Sequence, residues 1–130
     1  MMAPYPVLIT KLPALLTGTA IWLLSSQSTL PQPKGILGFD KFQHLAAYMV
    51  FTWTAGLWFS PDQWRRRPLA VPLLTAGIGS LYGLIDEIHQ SFVPGRDCNG
   101  WDWIADTLGA LLGSGARCLI LWRQGRFHER

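Results

Sequence analysis

The sequence feature that most restricts how this chain can fold is the segment 69–93, an apolar run that ends in a group of ionisable residues. A helix crosses the hydrocarbon core of a bilayer with about 20 residues, so this run is long enough to do so. Its last third contains Asp86, Glu87 and His89. A charged side chain at the centre of a membrane helix costs about 2.5 to 3.5 kcal/mol, and such residues usually have a function. The segment therefore predicts a membrane helix with a candidate functional site near one end.

The composition of the whole chain also indicates a membrane protein. Its 130 residues are 49% hydrophobic and 15% charged, whereas a soluble domain carries about 25% charged residues. The bilayer, rather than a core formed by the chain alone, is then the expected surrounding for most apolar side chains. We expect residues 1–130 to form one membrane domain.

Four apolar segments predict four membrane helices, at about residues 7–26, 42–59, 69–93 and 101–122. Lys11 and Pro13 interrupt the N-terminal region, which predicts a retained helix and no cleaved signal peptide. Four crossings place both termini on the same side as the connection between the second and third helices. Clustered arginines in that connection and in the C-terminal tail assign this side to the cytoplasm by the positive-inside rule. The expected fold is an all-α, polytopic, four-helix transmembrane bundle with both termini cytoplasmic.

Two local patterns refine this expectation. Asp40 is a plausible N-terminal cap of the second helix. Gly109 and Gly113 form a GxxxG pattern in the fourth helix, and Gly79 and Gly83 repeat that spacing in the third. Because small residues at this spacing let membrane helices approach closely, the third and fourth helices are predicted to pack through these glycines.

Three polar residues from different helices are predicted to lie at one depth. At 1.5 Å rise per residue, Glu87 lies roughly 9 Å below the end of the third span, Asp106 roughly 7 Å below the start of the fourth, and His44 roughly 6 Å below the start of the second. All three come from the non-cytoplasmic ends of their helices. We therefore expect them near the headgroup boundary of the outer leaflet.

Polar residues also recur on single helical faces. Asp40, His44 and Tyr48 follow each other at intervals of four, and so do Asp86 and Gln90. Such faces have two interpretations. They form either a polar network that holds helices together or a functional pocket.

The charged residues around residue 86 each have a structural and a functional interpretation. Asp86 and Glu87 are adjacent near hydrocarbon, so either one carries a proton or Arg96 lies close. Arg96 can stabilise the end of its helix through the helix dipole, or it can bind a phosphate or carboxylate. Asp102 can complement the N-terminus of the fourth helix. Asp106 lies beyond the first turn on the same face and has no such structural explanation.

Other chemistries have little support in the sequence. A metal site can be drawn from His44, Glu87, His89 and Asp106, but no HxH, HExxH or CxxC spacing accompanies it, so neither a metal nor another cofactor is predicted. No GxSxG pattern marks a serine nucleophile. The arginine clusters flank apolar segments without a nucleic-acid reading module, so no nucleic-acid partner is predicted.

The three polar segments DKFQHLAAY, YGLIDEIHQSFVPGR and DWIADTLGALLG resemble the VanZ-like family of small bacterial membrane proteins, over residues 40–113. The combination of DKxxHxxxY, DExxQxFxPGR and DxxxDxxG at these spacings is specific, although each piece alone is weak. The resemblance implies a four-helix protein of the bacterial inner (cytoplasmic) membrane. The namesake of the family is associated with low-level resistance to the glycopeptide antibiotic teicoplanin.

The hypothesis from these residues is a site at the outer leaflet that binds or modifies the headgroup of a lipid or lipid-linked envelope molecule by acid/base chemistry. The expected catalytic residues are His44, Glu87, Asp86 and Asp106, and the expected substrate-binding residues are Asp40, Lys41, Tyr48, Gln90, Arg96 and Asp102. The alternative is a binding or envelope-modulating protein without turnover, linked to glycopeptide susceptibility. Proton-coupled transport is a weaker alternative, because the polar residues crowd at one end.

Overall fold

The computed structural model describes residues 6–128, with side chains as far as residue 125. All regular structure in this range is helical. The elements are α1 (Val7–Ser25), α2 (Phe39–Ala55), a 3-10 turn (Gly56–Trp58), α3 (Pro61–Arg66), α4 (Ala70–Gln90) and α5 (Gly100–His128). The predicted all-α class is thus confirmed for the described part of the chain.

Three helices are long and apolar enough to cross a membrane. They are Val7–Ser25, Ala70–Gln90 and the Gly100–Gly125 part of α5. The predicted span at 42–59 differs from these, because regular α-helix ends at Ala55 and continues only as the 3-10 turn. With 17 residues and a charged first turn, α2 is shorter and more polar than the other three.

The first turn of α2 corrects the prediction for Asp40. The cap position is occupied by Gly38, whose φ of 76° lies in the left-handed region that favours glycine. Asp40 therefore lies inside the first helical turn and is not the cap. A carboxylate there still interacts favourably with the positive end of the helix dipole.

Glycines allow α2 and α5 to pack with their backbones in close contact. A Cβ atom added at Gly109 would lie 2.2 Å from the Leu45 carbonyl oxygen, and one at Gly113 would lie 2.3 Å from that of Met49. The prediction that this GxxxG pattern packs against the third membrane helix is wrong, since both glycines face α2. Spacing within one helix identifies a close contact but not the neighbour that makes it.

The glycines of α4 face α5, as predicted, and Gly79 also faces Thr52 of α2, whose Cγ2 an added Cβ would meet at 2.4 Å. A Cβ atom at Gly79 would meet the Cβ of Ala110 at 2.7 Å, and one at Gly83 would meet the Cβ of Asp106 at 2.9 Å. In this way α5 packs closely against both α2 and α4. The carboxylate of Asp106 lies directly over Gly83, where no larger residue would fit.

The surface of the long helices is strongly apolar. Large side chains such as Leu15, Val50, Leu74 and Leu111 are about half exposed, one on each of α1, α2, α4 and α5. A soluble protein rarely exposes apolar surface on every side. This arrangement fits helices surrounded by lipid.

The two ends of the packed helices differ in chemistry. The polar end comprises the C-terminal turns of α1 and α4 and the N-terminal turns of α2 and α5. The basic end comprises the N-terminus of α1, the connection 56–69 and the C-terminal half of α5. Hydrogen bonds close each end: Ser25 to Asp86 at the polar end, and Lys11 to the Trp58 carbonyl at the basic end.

Candidate functional site

The polar end brings together His44 and Asp106, from α2 and α5. Their side chains are joined by a hydrogen bond of 2.8 Å between Nδ1 and Oδ1. Asp106 is completely buried, and its second oxygen, Oδ2, has no hydrogen-bond partner. An ionised carboxylate can only accept, so with Asp106 ionised Nδ1 carries the hydrogen of this bond, and Nε2 is the ring nitrogen that can accept a proton.

Glu87, from α4, completes a three-helix cluster with these two residues. One ligand atom from each of His44, Glu87 and Asp106 lies within 4.8 Å of the other two. Glu87 is 2% exposed, and its Oε2 accepts a 3.0 Å hydrogen bond from the Asn99 backbone N–H. Its Oε1 has no partner. The structure thus places at one level the three residues that the helix rise predicted to share a depth.

His89 does not belong to this cluster. Its ring stacks on Trp22 with centroids 3.8 Å apart, and its Nε2 lies 2.9 Å from the hydroxyl of Ser26. Four residues were considered from the sequence as possible metal ligands, and His89 was wrongly included among them. His89 follows Glu87 by two positions and so points toward α1 instead of toward α2 and α5.

Asp86 accepts one hydrogen bond from α1 and one from its own helix, α4. Ser25 donates to its Oδ1 at 2.5 Å, and Gln90 donates to its Oδ2 at 3.1 Å. Arg96 donates from Nη2 to Oε1 of Gln90 at 2.9 Å. From the sequence, one of two alternatives placed Arg96 close to Asp86 and Glu87. The structure links Arg96 to Asp86 indirectly, with the Gln90 amide between them.

Lys41 forms ion pairs with two carboxylates. It contacts Oδ2 of Asp40, and its ammonium lies 2.5 Å from Oδ1 of Asp102. Oδ2 of Asp102 lies 3.8 Å from Nε2 of His44, so this pair adjoins the His44 cluster.

Tyr48 is buried one turn further along α2 than His44. It is 1% exposed, packs edge-on against Phe51 with centroids 6.2 Å apart, and leaves its hydroxyl without a hydrogen-bond partner. A buried phenol normally finds a partner, so this hydroxyl is available to one that enters the site.

A cavity of about 500 Å³ opens beside these residues. Seven of the ten residues predicted for the site line it: Asp40, His44, Tyr48, Asp86, Gln90, Arg96 and Asp102. Lys41, Glu87 and Asp106 lie outside the lining. Part of the wall is apolar, and it includes Ile21, Leu24 and Phe42.

Four polar residues of the cavity were missed by the sequence interpretation: Ser25, Gln32, Gln43 and Asp97. Ser25 is buried and contacts Asp86, 61 residues away. Nothing in its local spacing distinguishes it from the neighbouring serines. Gln43 lies in the DKFQH segment, where its position beside His44 was the only available signal.

Comparison with known protein families can be added to this geometry. The VanZ/LLP1 family model matches residues 7–121. The chain belongs to the VanZ/LLP1 family. No curated protein and no solved structure matches it. The matched range includes all ten residues that were predicted from the sequence for the site.

Membership of the VanZ/LLP1 family agrees with the helix pattern. Together with three apolar helices of sufficient length, it indicates a multi-pass membrane protein. The buried cluster and the cavity lie within the matched range, at one end of the helices. The chemistry of this VanZ/LLP1 protein must therefore be argued from those side chains.

Proposed function

We propose that the chain is a four-span protein of the bacterial inner membrane that binds the headgroup of a lipid or lipid-linked envelope molecule at its polar end. In this arrangement α2 and the following 3-10 turn form the fourth span, and both termini are cytoplasmic. The arginines at 65–67 and Arg123 support this orientation, because they lie at the basic end. The polar end then opens at the outer leaflet.

The observation that carries the proposal is the mixed lining of the 500 Å³ cavity. One part of its wall is polar, with His44, Asp86 and Arg96, while another part is apolar, with Leu24 and Phe42. A ligand that fits both must have a polar group joined to an apolar chain. Lipids and lipid-linked envelope precursors have that chemistry, and they reach such a site sideways from the bilayer.

Arg96 is the residue that we assign to the anionic group of the ligand. A guanidinium has five N–H donors, and Arg96 uses Nη2 on Gln90. Lys41 is a poorer candidate, since Asp40 and Asp102 already surround its ammonium. Arg96 also lines the cavity, whereas Lys41 does not.

His44 and Glu87 are the residues that we assign to proton transfer. Asp106 orients the His44 ring through Nδ1, so that Nε2 accepts the proton. Glu87 lies within 4.8 Å of this pair, a distance that one bridging water spans, and Asp86 precedes it in α4. No nucleophile from the protein is assigned, so the chemistry is limited to acid/base catalysis on the bound headgroup.

The test uses the full chain purified in nanodiscs made with bacterial envelope lipids. Native mass spectrometry should detect a retained lipid, and Arg96→Gln should weaken retention about tenfold through loss of a charge-assisted hydrogen bond. Arg67→Gln, an exposed arginine at the basic end, is the matched control. Equal retention by wild type and Arg96→Gln would contradict the assignment.

Turnover is tested separately with Glu87→Gln and His44→Ala. Both variants should abolish conversion of the retained lipid while protein levels in the membrane stay unchanged. Equal loss of protein and of conversion would show that these residues only maintain the fold.

Binding without turnover is the second candidate function. One observation favours it: polar residues of the cavity already form hydrogen bonds with each other, in a series from Arg96 to Gln90 to Asp86 and from Ser25 to Asp86. A protein of this kind would modulate the envelope, as in the glycopeptide susceptibility associated with the family's namesake. It predicts that labelled lipid exchanges with the purified protein while no product accumulates on prolonged incubation.

A further inference from the structure

We propose that His44, Glu87 and Asp106 bind one divalent transition-metal ion. The three residues come from α2, α4 and α5, so the cluster depends on the packing of three helices. Their ligand atoms all lie within 4.8 Å of one another. Bonds of about 2.0 to 2.2 Å would bring these atoms to about 3 to 3.5 Å apart, which needs only small side-chain shifts.

The unused oxygens of the cluster are the first argument for an ion. Oε1 of Glu87 and Oδ2 of Asp106 have no hydrogen-bond partner. The two residues are 2% and 0% exposed, respectively, so water cannot easily replace the missing partner. Leaving a buried polar group unpaired costs about 1 to 3 kcal/mol, and more when the group is charged. Both oxygens belong to residues whose ligand atoms face the same small space.

The balance of charge is the second argument. Asp102 has Lys41 as its counter-ion, and Arg96 approaches Asp86 through Gln90. Within residues 6–125, no lysine or arginine forms an ion pair with Glu87 or Asp106. Buried carboxylates need a proton or a cation, and a divalent ion neutralises both at once.

The donor set selects the class of ion. One imidazole nitrogen and two carboxylates suit Zn²⁺, Mn²⁺ or Fe²⁺, whereas Mg²⁺ and Ca²⁺ prefer oxygen ligands alone. The ion would replace the proton now shared by His44 and Asp106 in their 2.8 Å hydrogen bond. The sequence spacing gave no metal signature, because each ligand lies on a different helix.

The ion would lie at the inner wall of the cavity. His44 lines that cavity, while Glu87 and Asp106 lie behind it. With the ion bound, His44 and Glu87 act as its ligands in place of the proton transfer assigned to them above, and the cation would attract an entering anionic group such as a phosphate oxygen. The inference does not rest on the proposed headgroup binding, since a chain that binds metal but no lipid would refute only the proposed function.

The experiment measures metal content of the full chain, purified in detergent on a tag without histidines. The protein is stripped with a chelator, incubated with Zn²⁺ or Mn²⁺, desalted and measured by mass spectrometry of the metal. We expect about one ion per chain. Glu87→Gln and Asp106→Asn should each weaken affinity at least about tenfold. Asp86→Asn is the matched buried carboxylate outside the cluster and should keep its ion.

A spectroscopic measurement keeps the proposal testable if the carboxylate variants do not fold. The chain has 3 histidines, so His89→Gln combined with His128→Gln leaves His44 alone. Pulsed electron paramagnetic resonance of this Mn²⁺-loaded variant should retain an imidazole nitrogen coupling. Absence of bound ion in the wild type, loss of the coupling in this variant, or full binding by Glu87→Gln would each overturn the metal site.

Discussion

The two ends of the helices hold cavities of similar size and opposite chemistry. The polar end has a cavity of about 500 Å³ with carboxylates, a histidine and Arg96 in its wall. The basic end has one of about 420 Å³, whose lining includes Trp64, Pro72 and Leu119, with Arg65 as its charged residue. Cavity size therefore says little about function in this molecule. The lining separates a candidate site from a space between apolar side chains.

The two ends also handle charge differently. At the polar end, Asp86, Glu87 and Asp106 are buried, and other polar side chains surround them. At the basic end, Arg117 is half-buried against aromatic rings, 5.7 Å from the centroids of both Trp53 and Trp64. At the polar end, carboxylate oxygens of Glu87 and Asp106 without hydrogen-bond partners lie close together. At the basic end, two indole rings cover the Arg117 guanidinium. This difference supports placing the chemistry at the polar end.

The largest expected effect is on a feature that both ends share, the close packing of α2 on α5. Gly109→Ala puts a methyl group 2.2 Å from the Leu45 carbonyl oxygen, so the helices must separate. We expect a loss of about 3 kcal/mol in the free energy of unfolding, at the upper end for overpacking. Thermal unfolding in detergent, followed by circular dichroism, measures it.

Gly115→Ala is the matched control for this change. It lies in the same helix, and a Cβ there meets nothing within 4 Å. Alanine has the higher helix propensity, so this variant should be as stable as wild type or slightly more so. Equal destabilisation by both variants would mean that the contact of α2 with α5 is not the cause.

The next largest effect compares a buried serine at each end. Ser25 donates to the Asp86 carboxylate at 2.5 Å, and Ser114 donates to the Pro72 carbonyl at 2.6 Å. A hydrogen bond to a charged group contributes about 1.5 to 3 kcal/mol and a neutral one about 0.5 to 1.5. Ser25→Ala should therefore lose about 2 kcal/mol of stability and Ser114→Ala about 1 kcal/mol. Equal losses in denaturant unfolding would show that the hydrogen bond from Ser25 to Asp86 is no stronger than a neutral one.

The sequence predicted the helices well because their signals are local. Apolar runs and turn residues located α1, α4 and α5, and helix rise placed His44, Glu87 and Asp106 at one level. It predicted less about contacts between helices. The partner of Gly109 and Gly113 was wrong, since the face of a helix does not reveal which neighbour covers it.

The same limit applied to the candidate site. Spacing by four residues correctly grouped Asp86 with Gln90, because both lie on α4. The contribution of Ser25 was missed, since it comes from α1 across 61 residues of sequence. The sequence offers no metal signature for a related reason. Metal signatures in sequences describe ligands on one helix or loop, and this cluster takes one ligand from each of three helices.

A smaller effect tests how the basic end holds its cation. Arg117→Lys keeps the charge but loses the planar group that lies over Trp53 and Trp64. We expect a loss of about 1 kcal/mol in the free energy of unfolding, with lipid retention and metal content unchanged. Arg117→Met, which keeps much of the aliphatic contact without the charge, is the comparison. A methionine variant more stable than wild type would show that the rings do not compensate for burying the cation.

The smallest expected effect concerns the exposed ion pair at the basic end. Asp62 and Arg66 lie 2.8 Å apart on α3, with side chains 57% and 78% exposed. Water screens such a pair, so Asp62→Asn should lower the free energy of unfolding by about 0.3 kcal/mol, and less at high salt. Lys41→Gln removes the counter-ion of Asp102, whose side chain is 11% exposed. This change should lower the free energy of unfolding more than Asp62→Asn does, because a buried carboxylate is left without a counter-ion. Parallel denaturant unfolding at low and high salt measures both. If the Asp62 variant lost as much stability as the Lys41 variant, burial would not be what distinguishes the charges of the two ends.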